Sequence, residues 1–202
     1  MTSATTEGLY AETVAQREAL AELLGTLSAA DWERPSLCAG WRIRETVAHI
    51  TMPFRYSTAA VLLEVLRARG RFDVATDRLA RRDAVQSTDE LLAGLVDNVA
   101  HRWAPPGGGQ LGALSHDVIH GLDITEALGH ETVSPPSRLA TVLGGPRLAG
   151  AFKVDLSGVR LVASDADVAV GEGHEVSMSA TDVLLVCTAR KPVPPVEQGA
   201  AG

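Results

Sequence analysis

His116 and His120 stand four residues apart in a stretch with helical spacing. Residues at i and i+4 share one helix face, so both imidazoles can reach one point. Neutral imidazole is a good ligand for zinc and similar divalent ions. A third donor is needed, and His49 is the best candidate. It lies on another predicted helix, beside the apolar stripe Ile43, Val47 and Ile50. The competing reading makes these histidines satisfied core polar groups, and on spacing alone the two readings stand level. The HExxH zinc-protease motif is missing. Asp123, three residues after His120, shares its general face. It could accept a hydrogen bond from a ligand imidazole, with a helix salt bridge to an arginine as the equal alternative.

These side chains need long helices to hold them. Leu9, Val14, Leu20, Leu23, Leu24 and Leu27 predict a helix from about Thr6 to Leu27. A connector from Ser28 to Trp41 follows, with Pro35, Ser36 and Gly40 as loop formers. The helix bearing His49 begins near Ile43, and Pro53 should kink or break it. The apolar run Ala59 to Leu66 continues as helix to about Gly70. The basic stretch from Arg67 to Arg82, interrupted by Asp73 and Asp77, reads as solvated. Ser87 with Glu90 makes a capping box for the next helix, which ends before Pro105. The last long helix runs from about Leu111 to Leu128 and stops at Gly129. The expectation is a mainly α fold, a four-helix bundle over residues 1–134. A small α+β region over 135–190 should follow: a short helix after Pro135, strands at Val159–Val162, Asp167–Val170 and Glu175–Met178, and a final helix capped by Ser179. Residues 191–202 hold three prolines and no apolar pattern, and are expected to be a disordered tail.

Composition narrows the function classes. Hydrophobic residues make up 46% of the 202, enough for a real core, while aromatics at 4% leave Leu, Val and Ala to fill it. A net charge of -7 gives no basic footprint for nucleic acid. Two cysteines, Cys38 and Cys187, make no disulfide framework. Cys38 reads as a small packing residue rather than a nucleophile. Trp32 and Trp41 read as core anchors, and His101, His130 and His174 as surface residues. No leader segment or apolar run near membrane-spanning length is visible, so a cytoplasmic protein with no membrane partner is expected. Walker A, GxGxxG and GxSxG patterns are all missing.

Two stretches carry a family resemblance. Residues 35–49, Pro-Ser-Leu-Cys-Ala-Gly-Trp-Arg-Ile-Arg-Glu-Thr-Val-Ala-His, look like the first motif of the mycothiol-dependent maleylpyruvate isomerase family, within the DinB-like bundle superfamily. There a cysteine or small residue precedes Gly-Trp and a helix ending in a histidine ligand. Residues 114–124, Leu-Ser-His-Asp-Val-Ile-His-Gly-Leu-Asp-Ile, resemble the second motif: a ligand, a histidine four residues on, and an aspartate three further. The stretch from Gly158 to Arg190 is similar to the family's α+β appendage.

The resemblance implies one divalent ion, zinc first, held by His49, His116 and His120, with an open position for a thiol or water. It implies mycothiol as the thiol cosubstrate, and the abundance of Ala, Gly and Arg fits an actinobacterial source that would supply it. A thiolate attacks a small electrophile; elimination after rotation gives an isomerase, and release of the adduct a transferase. Arg190 resembles the family's C-terminal basic residue, which would hold a substrate carboxylate; a helix-terminal arginine favoured by the dipole is the weightier reading. The family's isomerase is expected to carry a glutamate at the position of His116. Three neutral histidines leave the full metal charge, so a bound thiol or water should ionise more easily. The alternatives are a metal-dependent hydrolase using metal-bound hydroxide, or a non-catalytic metal-binding stress-response protein. A homodimer is plausible on no particular feature.

Overall fold

The computed structural model describes residues 5–145 and 148–195. It divides into two units, Met1–Val133 and Ser134–Gly202.

The first unit is all helical: α1 (Thr6–Thr26), α2 (Ala29–Trp32), α3 (Ile43–Ile50), α4 (Met52–Arg55), α5 (Thr58–Arg67), α6 (Phe72–Asp83), α7 (Thr88–Val96) and α8 (Gly109–Leu128). Helix starts are set by side-chain acceptors. Thr5 caps α1 through Gly8 N, Ser57 caps α5, and Ser87 with Glu90 forms the expected capping box of α7. Gly129 ends α8 at φ 72°, in the left-handed region that glycine enters without a Cβ clash. The bundle core joins Leu20 and Leu24 of α1, Ile43, Val47 and Ile50 of α3, Leu91 and Leu95 of α7, and Ile124 and Leu128 of α8. Helix α1 packs along α8 and α7, and α3 packs on α6, α7 and α8.

Several local readings change. The connector holds a short helix, α2, whose Ser28–Asp31 capping box compensates for its length. Pro53 does not kink a continuing helix; it stands in the first turn of the separate α4, where a missing N–H costs little. The stretch read as solvated contains α6. Its buried side is Ala75, Thr76, Leu79, Ala80 and Asp83, and its arginines point outward. A stripe made mostly of small residues is hard to see between so many charges. Helix α7 stops at Val96, well before Pro105.

The second unit holds α9 (Pro136–Leu143), α10 (Leu148–Phe152), β1 (Ser157–Ala163), β2 (Ala169–Met178) and α11 (Ala180–Cys187, capped by Ser179). The second and third expected strands are one, β2. Its first residues run antiparallel to β1 (Val162 with Ala169, Leu161 with Val170), and its remainder runs parallel (Val159 with His174, Ala163 with Met178). The reversal lies at Gly171 to Gly173. A Cβ on Gly173 would stand 2.4 Å from the Gly158 carbonyl group, and its φ is +121°. Only glycine fits there. Residues 191–195 carry no regular structure; the rest of the expected disordered tail lies outside the described residues.

Candidate metal centre

His49 sits near the end of α3 and is 8% exposed, its helix neighbours Val47, Ala48 and Ile50 being fully buried. His116 and His120 come from one face of α8, with side chains 16% and 15% exposed. The crossing of α3 on α8 brings all three together. Ring centroids are 5.1 Å apart for His49–His116 and 4.8 Å for both His49–His120 and His116–His120. One nitrogen from each lies within 4.8 Å of the others. His49 Nε2 and His116 Nε2 are 3.3 Å apart.

Two buried carboxylates orient two of these rings. Asp123 Oδ2 lies 2.9 Å from His120 Nδ1, and Asp117 Oδ1 lies 2.8 Å from His116 Nδ1. Both aspartates are 0% exposed. A carboxylate only accepts, so each Nδ1 donates, and in the neutral ring each Nε2 keeps its lone pair. Asp117 is itself anchored: Arg17 Nε of α1 donates to its Oδ2 at 2.6 Å. His49 has no such partner, and its Nδ1 is buried without a hydrogen bond. Burial above all, then His120 and His116, hold the His49 imidazole well below its ordinary value of 6.5, while Asp123 pulls the other way. His49 is therefore kept neutral, the form that ligates metals.

The connector before α3 forms a tight loop against α8. Leu37 N donates to the Asp123 carbonyl, Ser36 N to the Trp41 carbonyl and Trp41 N to the Cys38 carbonyl, with Gly40 at φ 78° in the turn. Thr46 of α3 donates to Ser36 Oγ, fixing the loop to the helix it precedes. This sets Cys38 over α8. Its thiol donates to Asp123 Oδ2 at 3.0 Å, with Sγ 3.6 Å from His120 Nδ1. Cys38 is thus part of the polar cluster and not a packing residue. Cys38, His120 and Asp123 make a second group of close donors beside the three histidines.

Two indoles wall the site. Trp41 packs on His49 at 5.0 Å and donates its N–H to Asp77 at 2.8 Å, so it is a wall rather than a core anchor. Trp103, from the loop before α8, packs edge-on against His116 at 5.2 Å. Trp32 is buried in the core as expected, and His101, His130 and His174 are exposed. Arg190 belongs to the second unit, where its Nη1 donates to the Thr188 carbonyl and its guanidinium lies over Phe152.

The donor set fits a divalent ion. Metal–nitrogen bonds of about 2.0–2.1 Å in a tetrahedron give nitrogen–nitrogen edges of about 3.3 Å. The His49–His116 separation has that value.

The sequence matches the family described as "Mycothiol maleylpyruvate isomerase N-terminal domain" over residues 13–125, more than half of the chain. The chain belongs to this family. The mycothiol maleylpyruvate isomerase match includes Cys38, His49, His116, Asp117, His120 and Asp123; Arg190 lies beyond it. Among solved structures, the chain resembles that of the mycothiol-dependent maleylpyruvate isomerase at 14% identity and a TM-score of 0.54, covering 93% of this chain and 90% of that one. A variant of that isomerase with one histidine replaced by alanine matches at 13% identity and 0.53, with the same coverage. At this identity the likeness speaks for the fold: a mainly helical molecule with a small C-terminal α+β part. No curated protein matches the chain. No helix among the described residues is long and apolar enough to cross a membrane.

Sequence reasoning missed Asp117, Arg17 and Trp103. Asp117 follows His116 directly, and neighbours in sequence usually diverge around a helix. Arg17 is 100 residues away from Asp117 and gives no local signal.

Proposed function

We propose that this chain is a thiol-dependent metalloenzyme, an isomerase or S-transferase acting on a small electrophile, with mycothiol as the thiol. The observation that carries the reading is the convergence of the His49, His116 and His120 nitrogens within 4.8 Å, two of them 3.3 Å apart. Three histidine donors with one position left open is the pattern of catalytic zinc sites. Zinc, when bound, would supply Lewis-acid activation of a thiol at that open position.

The chain's own residues do the rest. His116 and His120 present Nε2 lone pairs because Asp117 and Asp123 hold their Nδ1 protons. His49 stays neutral through burial. Trp41 and Trp103 shield two sides from water, which strengthens every polar interaction inside. Asp123 serves as the oriented acceptor behind His120. In this reading residues 1–134 hold the ion.

The test is elemental analysis followed by turnover. Wild type should carry about one ion per chain, as one site of this type implies, and His116→Ala/His120→Ala should carry none while remaining helical. With a small conjugated electrophile, turnover or adduct formation should require mycothiol. Turnover with water alone would replace this reading by a metal-dependent hydrolase, and a metal-free wild type after reconstitution would overturn it.

A further inference from the structure

We propose that Arg17 is a positioning residue for His116, acting through Asp117. The inference rests on His116 being a metal ligand as read above.

Arg17 lies on α1, and its side chain is fully buried. Its Nε donates to Asp117 Oδ2 at 2.6 Å, and its Nη1 donates to the carbonyls of His101 at 2.7 Å and Val99 at 3.2 Å. The guanidinium also lies 4.9 Å from the Phe54 ring centroid. Its Nη2 is buried with no hydrogen bond. The arginine is thus pinned from three directions: a carboxylate, two carbonyls of the loop leading to α8, and an aromatic face.

Stability does not explain this pair. A buried ion pair in a helical core is often no better than apolar residues of the same volume, because both charges lose their water. The unpartnered Nη2 makes that balance worse. What the pair does is geometric. Asp117 has two oxygens, and they face opposite ways: Oδ2 takes Arg17 and Oδ1 takes His116 Nδ1. A carboxylate next in sequence to a histidine has no reason of its own to point at that ring. Arg17 fixes the carboxylate plane, and the plane fixes both the rotation of the His116 ring and the nitrogen that carries its proton. The loop carbonyls then tie this setting to the segment that carries Trp103. Asp123 holds His120 in the same way, through an oxygen that also takes the Cys38 thiol.

The test uses the whole chain and two readouts. Zinc affinity is measured by chelator competition, and the His116 ring nitrogens are read by 15N NMR in the metal-free protein. Wild type should show His116 protonated on Nδ1. Arg17→Met should raise the zinc dissociation constant about 10–100-fold and move His116 away from the single Nδ1–H form. Should Arg17→Met fail to fold, Arg17→Met/Asp117→Leu removes both charges together and keeps the core filled. It should fold and bind zinc as weakly. Arg17→Lys, which keeps the charge but not the fork, should recover only part of the affinity. Wild-type affinity and an unchanged His116 signal in a folded variant would overturn the proposal. A wild type that binds no zinc, yet whose His116 signal shifts in Arg17→Met, would keep the positioning role and sink the metal reading instead.

Discussion

The Cys38 thiol donates to Asp123 at 3.0 Å, on the oxygen that also faces His120 Nδ1. One carboxylate oxygen therefore serves two donors. Replacing Cys38 by Ala removes one of these donors and keeps the other, His120, on that oxygen, so the ring should stay in place. The expected cost is one partly buried hydrogen bond, about 0.5–1.5 kcal/mol, with zinc affinity unchanged. Urea unfolding and chelator competition check both halves. A large drop in zinc affinity would mean that the sulfur itself reaches the ion.

Asp123→Asn should behave differently. The amide can turn its N–H₂ toward His120, which leaves the ring without a firm acceptor. Zinc affinity should fall about 10–100-fold while the circular dichroism stays helical. Equal affinity in the two proteins would show that His120 needs no orienting partner.

Metal binding should raise the melting temperature of the first unit. At free zinc of about 100 times the dissociation constant, the added stability is about 2.7 kcal/mol. For a chain of this size that is roughly 5–10 °C. Calorimetry with zinc and with chelator reads the difference, which should vanish in His49→Ala.

The metal-free protein should weaken in mild acid, with His49 as one cause. Burial first, and then His120 and His116, set its pKa well below 6.5 in the folded state. The unfolded chain therefore takes up this proton first. The His49 contribution is complete above about pH 6.5 and is lost as the pH falls through the depressed folded value. Urea midpoints across that range should fall less steeply for His49→Asn than for wild type. Identical slopes would remove His49 as the cause.

The long helices and the three histidines were legible because their signals are local. Leu20 and Leu24 mark the buried face of α1, Ser87 and Glu90 mark the start of α7, and His116 and His120 share a face by spacing alone. What escaped was relational. Helix α6 hides its buried face behind alanines, and Arg17 meets Asp117 only after α1 packs on α8. Cys38 looked like a packing residue because no histidine stands near it in sequence. The loop from Ser36 to Trp41 makes that neighbourhood, through backbone hydrogen bonds to Asp123 and within the loop. The three short strands were visible as β-rich runs, but the union of the second and third in β2 depends on a glycine reversal that a strand pattern does not announce.

The three candidate ligand histidines lie on α3 and α8, whereas Cys38, Trp41 and Trp103 come from loops. This separates two kinds of evolutionary freedom. The helices are bound by the packing of the whole bundle, so changes in them alter folding and chemistry together. The loops are under looser constraint, as loops generally are. Descendants of such a chain can remodel what enters the site by exchanging an indole or a thiol, while inheriting the same nitrogens in the same geometry.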